Sequence, residues 1–321
     1  MLAQAGDRGA VRARLVQVGE REAGQRIDNF LARELKGVPR SLIYRIVRTG
    51  QVRVNSARVR PAYRLNAGDR VRIPPLRASP ARAQATPPAG LVARARAAVL
   101  EETGGYLVLD KPPGLPVHGG TSVRWGLIEA LRAAFPERPR LELVHRLDRD
   151  TSGVLLVATD AAALRWAHRM LREGRARKRY LVLLGGRLPE GETRVDAPLA
   201  RTLRRGRERL TEVGAHGRRA TTTFRPLTRY AGLTLAEAGI GTGRTHQIRA
   251  HAAHLGLPVA GDPDYGDRAL NRRLRRLGLR RTFLHAGELA LPLPDGGELV
   301  AAAPLAEDLR AVLAALEAEG A

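Results

Sequence analysis

The sequence predicts an α+β protein in two folded parts with a linker between them. Three observations lead there. From residue 98 onward, short apolar runs bounded by turn residues alternate with only a few stretches of helical periodicity, which is a strand-dominated pattern. Residues 14 to 75 carry their own small sequence of two helices followed by two strands. Residues 76 to 97 hold Pro80, Pro87 and Pro88 among alanines and arginines without apolar periodicity, and read as a flexible tether.

In the first part, Ile27, Phe30, Leu31 and Leu35 recur at helical spacing, and Gly37 and Pro39 end that run. Leu42, Ile43, Ile46 and Val47 mark a second helix closed by Gly50. Gln51 to Asn55 alternates like a strand, and Gly68-Asp69 precedes another, Arg70 to Ile73. Arg40, Arg45 and Arg48 lie off the apolar stripe of the second helix, and Arg53 follows on the strand. Together they form a candidate phosphate-binding face, which a merely solvated face would equally fit.

In the larger part, residues 98 to 321, strands are predicted over Tyr106 to Asp110, Val154 to Ala158, Tyr180 to Leu184, Thr221 to Phe224 and Leu233 to Ala238. Helices are predicted over Leu127 to Ala134, Ala161 to Glu173 and Thr245 to Leu255. Arginines cluster at Arg201, Arg204, Arg205, Arg207 and Arg209. They cluster again along Arg268 to Arg281, where Leu270, Leu274 and Leu277 recur with a helical period.

The 321 residues carry a net charge of +23, a balance that points to a polyanionic partner. No run is apolar over the roughly 20 residues a membrane helix needs, and no signal-peptide pattern is evident, so a cytoplasmic location is expected. With no cysteine there is no disulfide framework and no thiolate metal site. Gly239-Ile240-Gly241-Thr242-Gly243 lacks the further glycine of a dinucleotide loop and the Gly-Lys-Ser/Thr of a P-loop. His246, His251 and His254 have no accompanying acid on their helix, so neither metal nor cofactor is expected.

The most informative segment is His145-Arg146-Leu147-Asp148-Arg149-Asp150-Thr151-Ser152-Gly153. It sets one carboxylate, Asp148, between two guanidinium groups, with turn formers from Asp150 to Gly153 ahead of the apolar run Val154 to Val157. If Val144 to Asp148 is extended, Arg146 and Asp148 share a face. Such a carboxylate suits work as a nucleophile or base on an anionic substrate. An ordinary Arg–Asp pair closing a turn fits the same residues.

This segment closely resembles the signature of the RluA-type RNA pseudouridine synthases. The resemblance extends, in order, through Lys111 to His118, Arg179-Tyr180-Leu181, Gly243-Arg244-Thr245-His246-Gln247-Ile248-Arg249 and Gly261-Asp262-Pro263-Asp264-Tyr265-Gly266. The first part is similar to the S4 RNA-binding domain. The resemblance implies the pseudouridine synthase fold, a long mixed and mainly antiparallel sheet with a cleft across it, and isomerisation of uridine to pseudouridine without a cofactor. It implies Asp148 as the catalytic residue, Arg249 paired with it, Tyr180 stacking on the base, and Arg146 entering the stack vacated by the flipped uridine. His145, Arg244, Thr245 and His246 complete the implied substrate contacts.

The first part and Leu141 to His145 resemble a subgroup acting on 23S ribosomal RNA. That implies a monomer working on a ribosomal assembly intermediate. The competing reading from another class is a non-enzymatic RNA-binding or ribosome-assembly protein, which charge and first part alone would fit. The sequence leaves open whether Asp148 attacks C1′ or removes a ribose proton.

Overall fold

In a computed structural model, the structure describes residues 13–35, 38, 40–75, 86–120, 123–138, 140–202 and 210–320. The chain divides into two compact units, 1–85 and 86–321.

The first unit holds β1 (Arg14–Gln17), α1 (Ile27–Glu34), α2 (Arg40–Arg48), β2 (Arg53–Val54), β3 (Ala57–Arg58) and β4 (Arg70–Ile73). The strands form one antiparallel sheet in the order β1-β4-β2-β3. Ile27, Phe30 and Leu31 of α1 and Ile43, Ile46 and Val47 of α2 are buried against Val52, Val54, Val71 and Ile73. The helical and alternating periods therefore meet in one core, as read from the sequence. The two-residue turn after β2 puts Asn55 and Ser56 at positive φ, which shortens the predicted strand. Arg45, Arg48 and Arg53 are exposed, and Arg53 Nη1 donates to the Ser56 carbonyl. The predicted break at Gly37 and Pro39 and the side chain of Arg40 lie outside the described residues.

The second unit begins with a correction. Residues 89–97, read as tether, form the helix α3 (Ala89–Ala97). Its alanines need little room: Ala95 is fully buried among Ala130, Leu131 and Leu127 of α4 (Leu127–Ala134), and Arg96 stacks over Phe135 at 4.5 Å. A helix this rich in small residues shows no apolar periodicity, because burial here rests on close approach rather than on large side chains.

The remaining elements are β5 (Val99–Thr103), β6 (Tyr106–Lys111), β7 (Glu142–Leu143), β8 (Ser152–Ala158), α5 (Ala161–Arg172), β9 (Arg177–Gly185), β10 (Thr193–Asp196), β11 (Leu199–Thr202), β12 (Leu210–Val213), β13 (Thr221–Tyr230), β14 (Leu233–Ile240), α6 (Gln247–His254), α7 (Arg268–Arg276), β15 (Leu284–Pro292), β16 (Glu298–Ala302) and α8 (Glu307–Gly320). One long sheet runs β10-β13-β14-β9-β15-β8-β6-β5, with β7 beside β8 and β16 beside β15. It is antiparallel except where β15 meets β8.

Alternation along the strands divides the core. Leu107, Leu109, Leu155, Val157 and Val182 face one side. Tyr106, Val108, Val154 and Leu156 face the other, under Ala167 and Met170 of α5. β8 is buried on both faces, so it reads as a continuous apolar run.

The strand β8 starts two residues earlier than the apolar run, at Ser152. Gly153 holds a φ of +105° and lies so close to β15 that an added Cβ would sit 2.2 Å from the Ala286 carbonyl oxygen, so only glycine fits. The condition that Val144 to Asp148 be extended is not met. β7 ends at Leu143, and Arg146 to Asp148 run as an irregular segment.

Candidate active site

Asp148 sits in that irregular segment at the border of a narrow slot and a wider chamber of about 460 Å³. The slot is lined by Leu147, Tyr180, Ile240, Ile248 and Leu284, with Arg146, Thr245, His246 and Arg249 around its mouth. Its apolar wall is the exposed rim of the main core. Three supports fix the position of Asp148.

The first is Lys111, at the end of β6. It is fully buried and donates from Nζ to the carbonyls of Pro112, Leu115 and Arg149, at 2.8, 2.9 and 3.0 Å. Three acceptors match the three protons of an ammonium group. This ties the 112–115 turn to the segment just beyond Asp148. Burial, partly opposed by Asp150, brings Lys111 down to about 7. Arg149 reinforces the tie by donating from Nε to the Gly114 carbonyl at 3.0 Å.

The second is Arg249 on the first turn of α6. Its Nε and Nη2 form a fork on the fully buried carboxylate of Asp262, at 2.5 and 2.7 Å, and Nη2 also reaches Asp264 at 3.0 Å. The remaining Nη1 lies 3.8 Å from Asp148 Oδ2. Burial opposes the charge on Arg249, but the Asp262 hydrogen bonds outweigh it and the guanidinium is held above its ordinary value. The ring of Tyr265 packs 4.9 Å beneath the guanidinium. Asp262 also accepts the backbone N–H groups of Asp264 and Tyr265.

The third is His246, whose Nε2 lies 3.9 Å from the same Asp148 oxygen. The Thr211 N–H donates to the Tyr265 hydroxyl at 2.8 Å, and that hydroxyl lies 3.1 Å from His246 Nδ1. Desolvation lowers the imidazole pKa, opposed by Asp148, so the ring is neutral at pH 7. With the hydroxyl proton turned to Nδ1, the ring proton rests on Nε2 and faces Asp148. His246 has a left-handed φ of 54°, a strained conformation for a non-glycine residue, at the very start of α6. Gln247 braces that bend. It accepts from Thr242 Oγ1 and the Arg244 N–H, and donates to the Thr221 carbonyl and Thr222 Oγ1.

Tyr180 is buried in the slot. Burial, and then the charge of Asp148, push its phenol well above the usual range, so it keeps its proton. The structure thus gathers Asp148, Arg146, Tyr180, Arg244, Thr245, His246 and Arg249 around one cleft. Asp148 makes its cation contact with Arg249 and faces the neutral ring of His246. Among the described residues Arg146 forms no ion pair with it.

His145 does not line the cleft. Its Nε2 accepts the Leu156 N–H at 3.1 Å, and desolvation together with Lys178 holds it down to about 3. His251 is committed to Thr222 Oγ1 and the Ala197 carbonyl. Arg281, read as part of a basic cluster, is buried on the Asp308 carboxylate, the Asp150 carbonyl and Ser152. Arg204 to Arg209 lie outside the described residues, as does the side chain of Arg201.

Asp262, Tyr265 and Gln247 were visible within motifs but received no role from the sequence. The signal was their place in those motifs; their partners are 13, 54 and 26 positions away and become neighbours only on folding.

Comparison with known proteins points to one family. A family model described as RNA pseudouridylate synthase matches residues 105–254, and an S4 domain model matches 25–71. The chain is 47% identical to the ribosomal large subunit pseudouridine synthase C of Escherichia coli (strain K12), over 94% of this chain and 95% of that protein. It is 48% identical to the protein of the same name from Salmonella typhimurium, over 89% and 91%. Among solved structures, human RNA pseudouridylate synthase domain containing 1 aligns with a TM-score of 0.54 and 28% identity, over 69% of this chain and 94% of that one. Human RNA pseudouridylate synthase domain containing 4 shares the fold at a TM-score of 0.59 and 24% identity, over 71% and 97%.

The protein is an RNA pseudouridine synthase with an N-terminal S4 domain. The chain belongs to the RluA-type family. Among the described residues no helix is long and apolar enough to cross a membrane, and no group of three acidic, histidine or cysteine side chains could hold a metal ion.

Proposed function

We propose that this enzyme converts uridines of 23S ribosomal RNA to pseudouridine in the cytoplasm, as a monomer acting on an assembling large subunit. The observation that carries the reading is the placement of Asp148. It stands at the edge of an apolar slot beside Tyr180, with Arg249 and His246 aimed at one of its oxygens. The reaction breaks the N1–C1′ bond, turns the base, and joins C5 to C1′. C5 loses a proton and N1 gains one, so the sum is an isomerisation needing no external group or electron donor.

A uridine must leave its stack to reach Asp148, at a cost of a few kcal/mol. We assign recovery of that cost to phosphate contacts by the exposed arginines, including Arg45, Arg48 and Arg53 of the S4 unit, and to Arg146 filling the vacated stack. Arg40 belongs to the same proposed face by its sequence position. Asp148 acts at the ribose, Tyr180 stacks on the turning base and offers its protonated hydroxyl, and Arg249 holds the carboxylate. Thr245, Arg244 and His246 line the route in. His145, bonded behind the cleft, supports the segment that bears Asp148.

Residues 14–75 bind RNA and the unit from 86 onward carries catalysis. Pseudouridine mapped across large-subunit RNA from cells with and without this gene tests the target. Sites missing from the deletion strain and restored by the wild-type gene support it. An unchanged map in large-subunit RNA refutes it.

A further inference from the structure

A second cavity of about 640 Å³ opens beside the catalytic slot. Arg146, Gly243, Arg244 and Thr245 line both, so the two spaces are continuous around the 243–245 loop. Its far wall is the β11–β12 hairpin and the His216-Gly217-Arg218 turn. That turn is a built structure. Leu199 and Arg218 exchange two backbone hydrogen bonds at 2.9 Å, and a Cβ on Gly217 would meet the Leu199 backbone at 2.4 Å.

Among the described residues the lining contains Arg146, Arg218, Arg244 and His216, and no carboxylate. Its character therefore differs from the catalytic chamber, which holds Asp148, Asp150 and Asp264. The side chains of Arg146 and Arg218 are exposed and have no hydrogen-bond or ion-pair partner among the described residues, whereas those of Arg225, Arg249 and Arg281 are each committed to a carboxylate. Thr211 adds an independent sign. It is 3% exposed, lines this cavity, and its Oγ1 is the one buried side-chain oxygen or nitrogen without a partner among the described residues. An orphaned buried hydroxyl is unfavourable, and a bound polar ligand would supply its missing partner.

We propose that this cavity is a subsite for the nucleotide adjoining the target uridine, with its phosphate held by Arg218 and a sugar or base oxygen reached by Thr211. The assignment rests on the RNA-modifying reading of the neighbouring cleft. The volume falls within the range of small-ligand sites. Backbone walls at Leu199, Ala200 and Gly217 offer contact to a nucleotide of any sequence. The Thr211 N–H also holds Tyr265, and through it His246, so an occupied subsite would brace the tautomer that faces Asp148.

The test uses the full-length enzyme and a transcribed large-subunit RNA fragment containing a uridine that the wild-type enzyme modifies. Two further versions carry one neutral methylphosphonate, 5′ or 3′ of that uridine. Pseudouridine formed by wild type on the plain fragment reports the functional reading itself; without it, both that reading and the subsite fall. Given that product, the variants judge the subsite alone.

Arg218→Ala should raise KM several-fold, leave kcat within about twofold, and lower the log–log salt slope of binding by about 0.7. One methylphosphonate should weaken wild type but add nothing to Arg218→Ala, and the sensitive side gives the strand polarity. Thr211→Val should raise KM while leaving the melting temperature unchanged or higher, since it removes an unsatisfied hydroxyl. A purely structural Thr211 would lower stability without touching KM. Equal sensitivity of wild type and Arg218→Ala to both methylphosphonates, or unchanged KM in both variants, would overturn the proposal.

Discussion

Asp262→Asn is the sharpest probe of the arrangement around Asp148, because it changes one heavy atom at a fully buried side chain. Asp262 is fully buried and accepts four hydrogen bonds, two of them from the Arg249 fork at 2.5 and 2.7 Å. An asparagine keeps the shape but presents an NH2 to a set of donors, and leaves the Arg249 charge without its main counter-ion. Breaking a buried pair from one side costs about 3–5 kcal/mol. For a unit of this size each kcal/mol moves Tm by about 2–4 °C, so a fall of about 6–20 °C is expected.

Activity should fall further than stability explains. Arg249 Nη1 stands 3.8 Å from Asp148 only while the fork fixes it, and a displacement of about 1 Å at such a site costs about 100-fold in rate. The melt is followed by circular dichroism. The rate is followed well below Tm by single-turnover release of tritium from [5-³H]uridine in the RNA. Asp264→Asn is the control: it removes one 3.0 Å bond to a third-exposed carboxylate and should cost no more than about 1 kcal/mol. An Asp262→Asn enzyme that melts and reacts like wild type would refute the reasoning, as would equal losses in both variants.

Asp148→Asn should abolish pseudouridine formation with RNA affinity nearly unchanged. Asp150→Asn should stay active, since among the described residues its side chain accepts no hydrogen bond and only its backbone carbonyl does, from Arg281; product yields and filter binding decide both. His145 bears on acid stability. Its folded value of about 3 lies below the ordinary 6.5, so the unfolded chain binds the extra proton between those values. The stabilisation is complete above pH 6.5 and is lost as pH falls toward 3, by at most about 1.4 kcal/mol per pH unit. Urea midpoints at pH 6.5 and 4.5 should therefore fall more steeply for wild type than for His145→Gln, and parallel lines would contradict the buried neutral ring. Reversing Arg45 and Arg48 to glutamate should lower the log–log salt slope of RNA binding by at least about 1.4, from two lost phosphate contacts. An unchanged slope would remove those side chains from the RNA face.

The sequence by itself determined the α+β class, the S4-like core and the cluster of motifs that become the cleft. Those are local patterns. Ile27, Phe30 and Leu31 repeat with the period of a helix, β8 is a run of residues buried on both faces, and the nine residues from His145 to Gly153 carry their chemistry in consecutive positions. Elements whose burial depends on close approach rather than on large side chains were not legible. α3 is the clearest case, since its alanines pack against the small residues of α4 and leave no periodic signal.

Of the partners of Asp148, Arg249 was offered by the family resemblance and not by spacing along the chain, and His246 received no such role. Reading along the chain offered Arg146 as its counter-charge, because adjacency is all that a linear pattern shows. Folding instead delivers Arg249 from α6, fixed by Asp262 thirteen residues further on, and a histidine whose Nδ1 meets the Tyr265 hydroxyl, itself held by the backbone of Thr211. Hydrogen bonds and charge act over a few ångströms of space, so which carboxylate holds which guanidinium was decided only when folding brought α6 beside β12 and beside the segment ahead of β8.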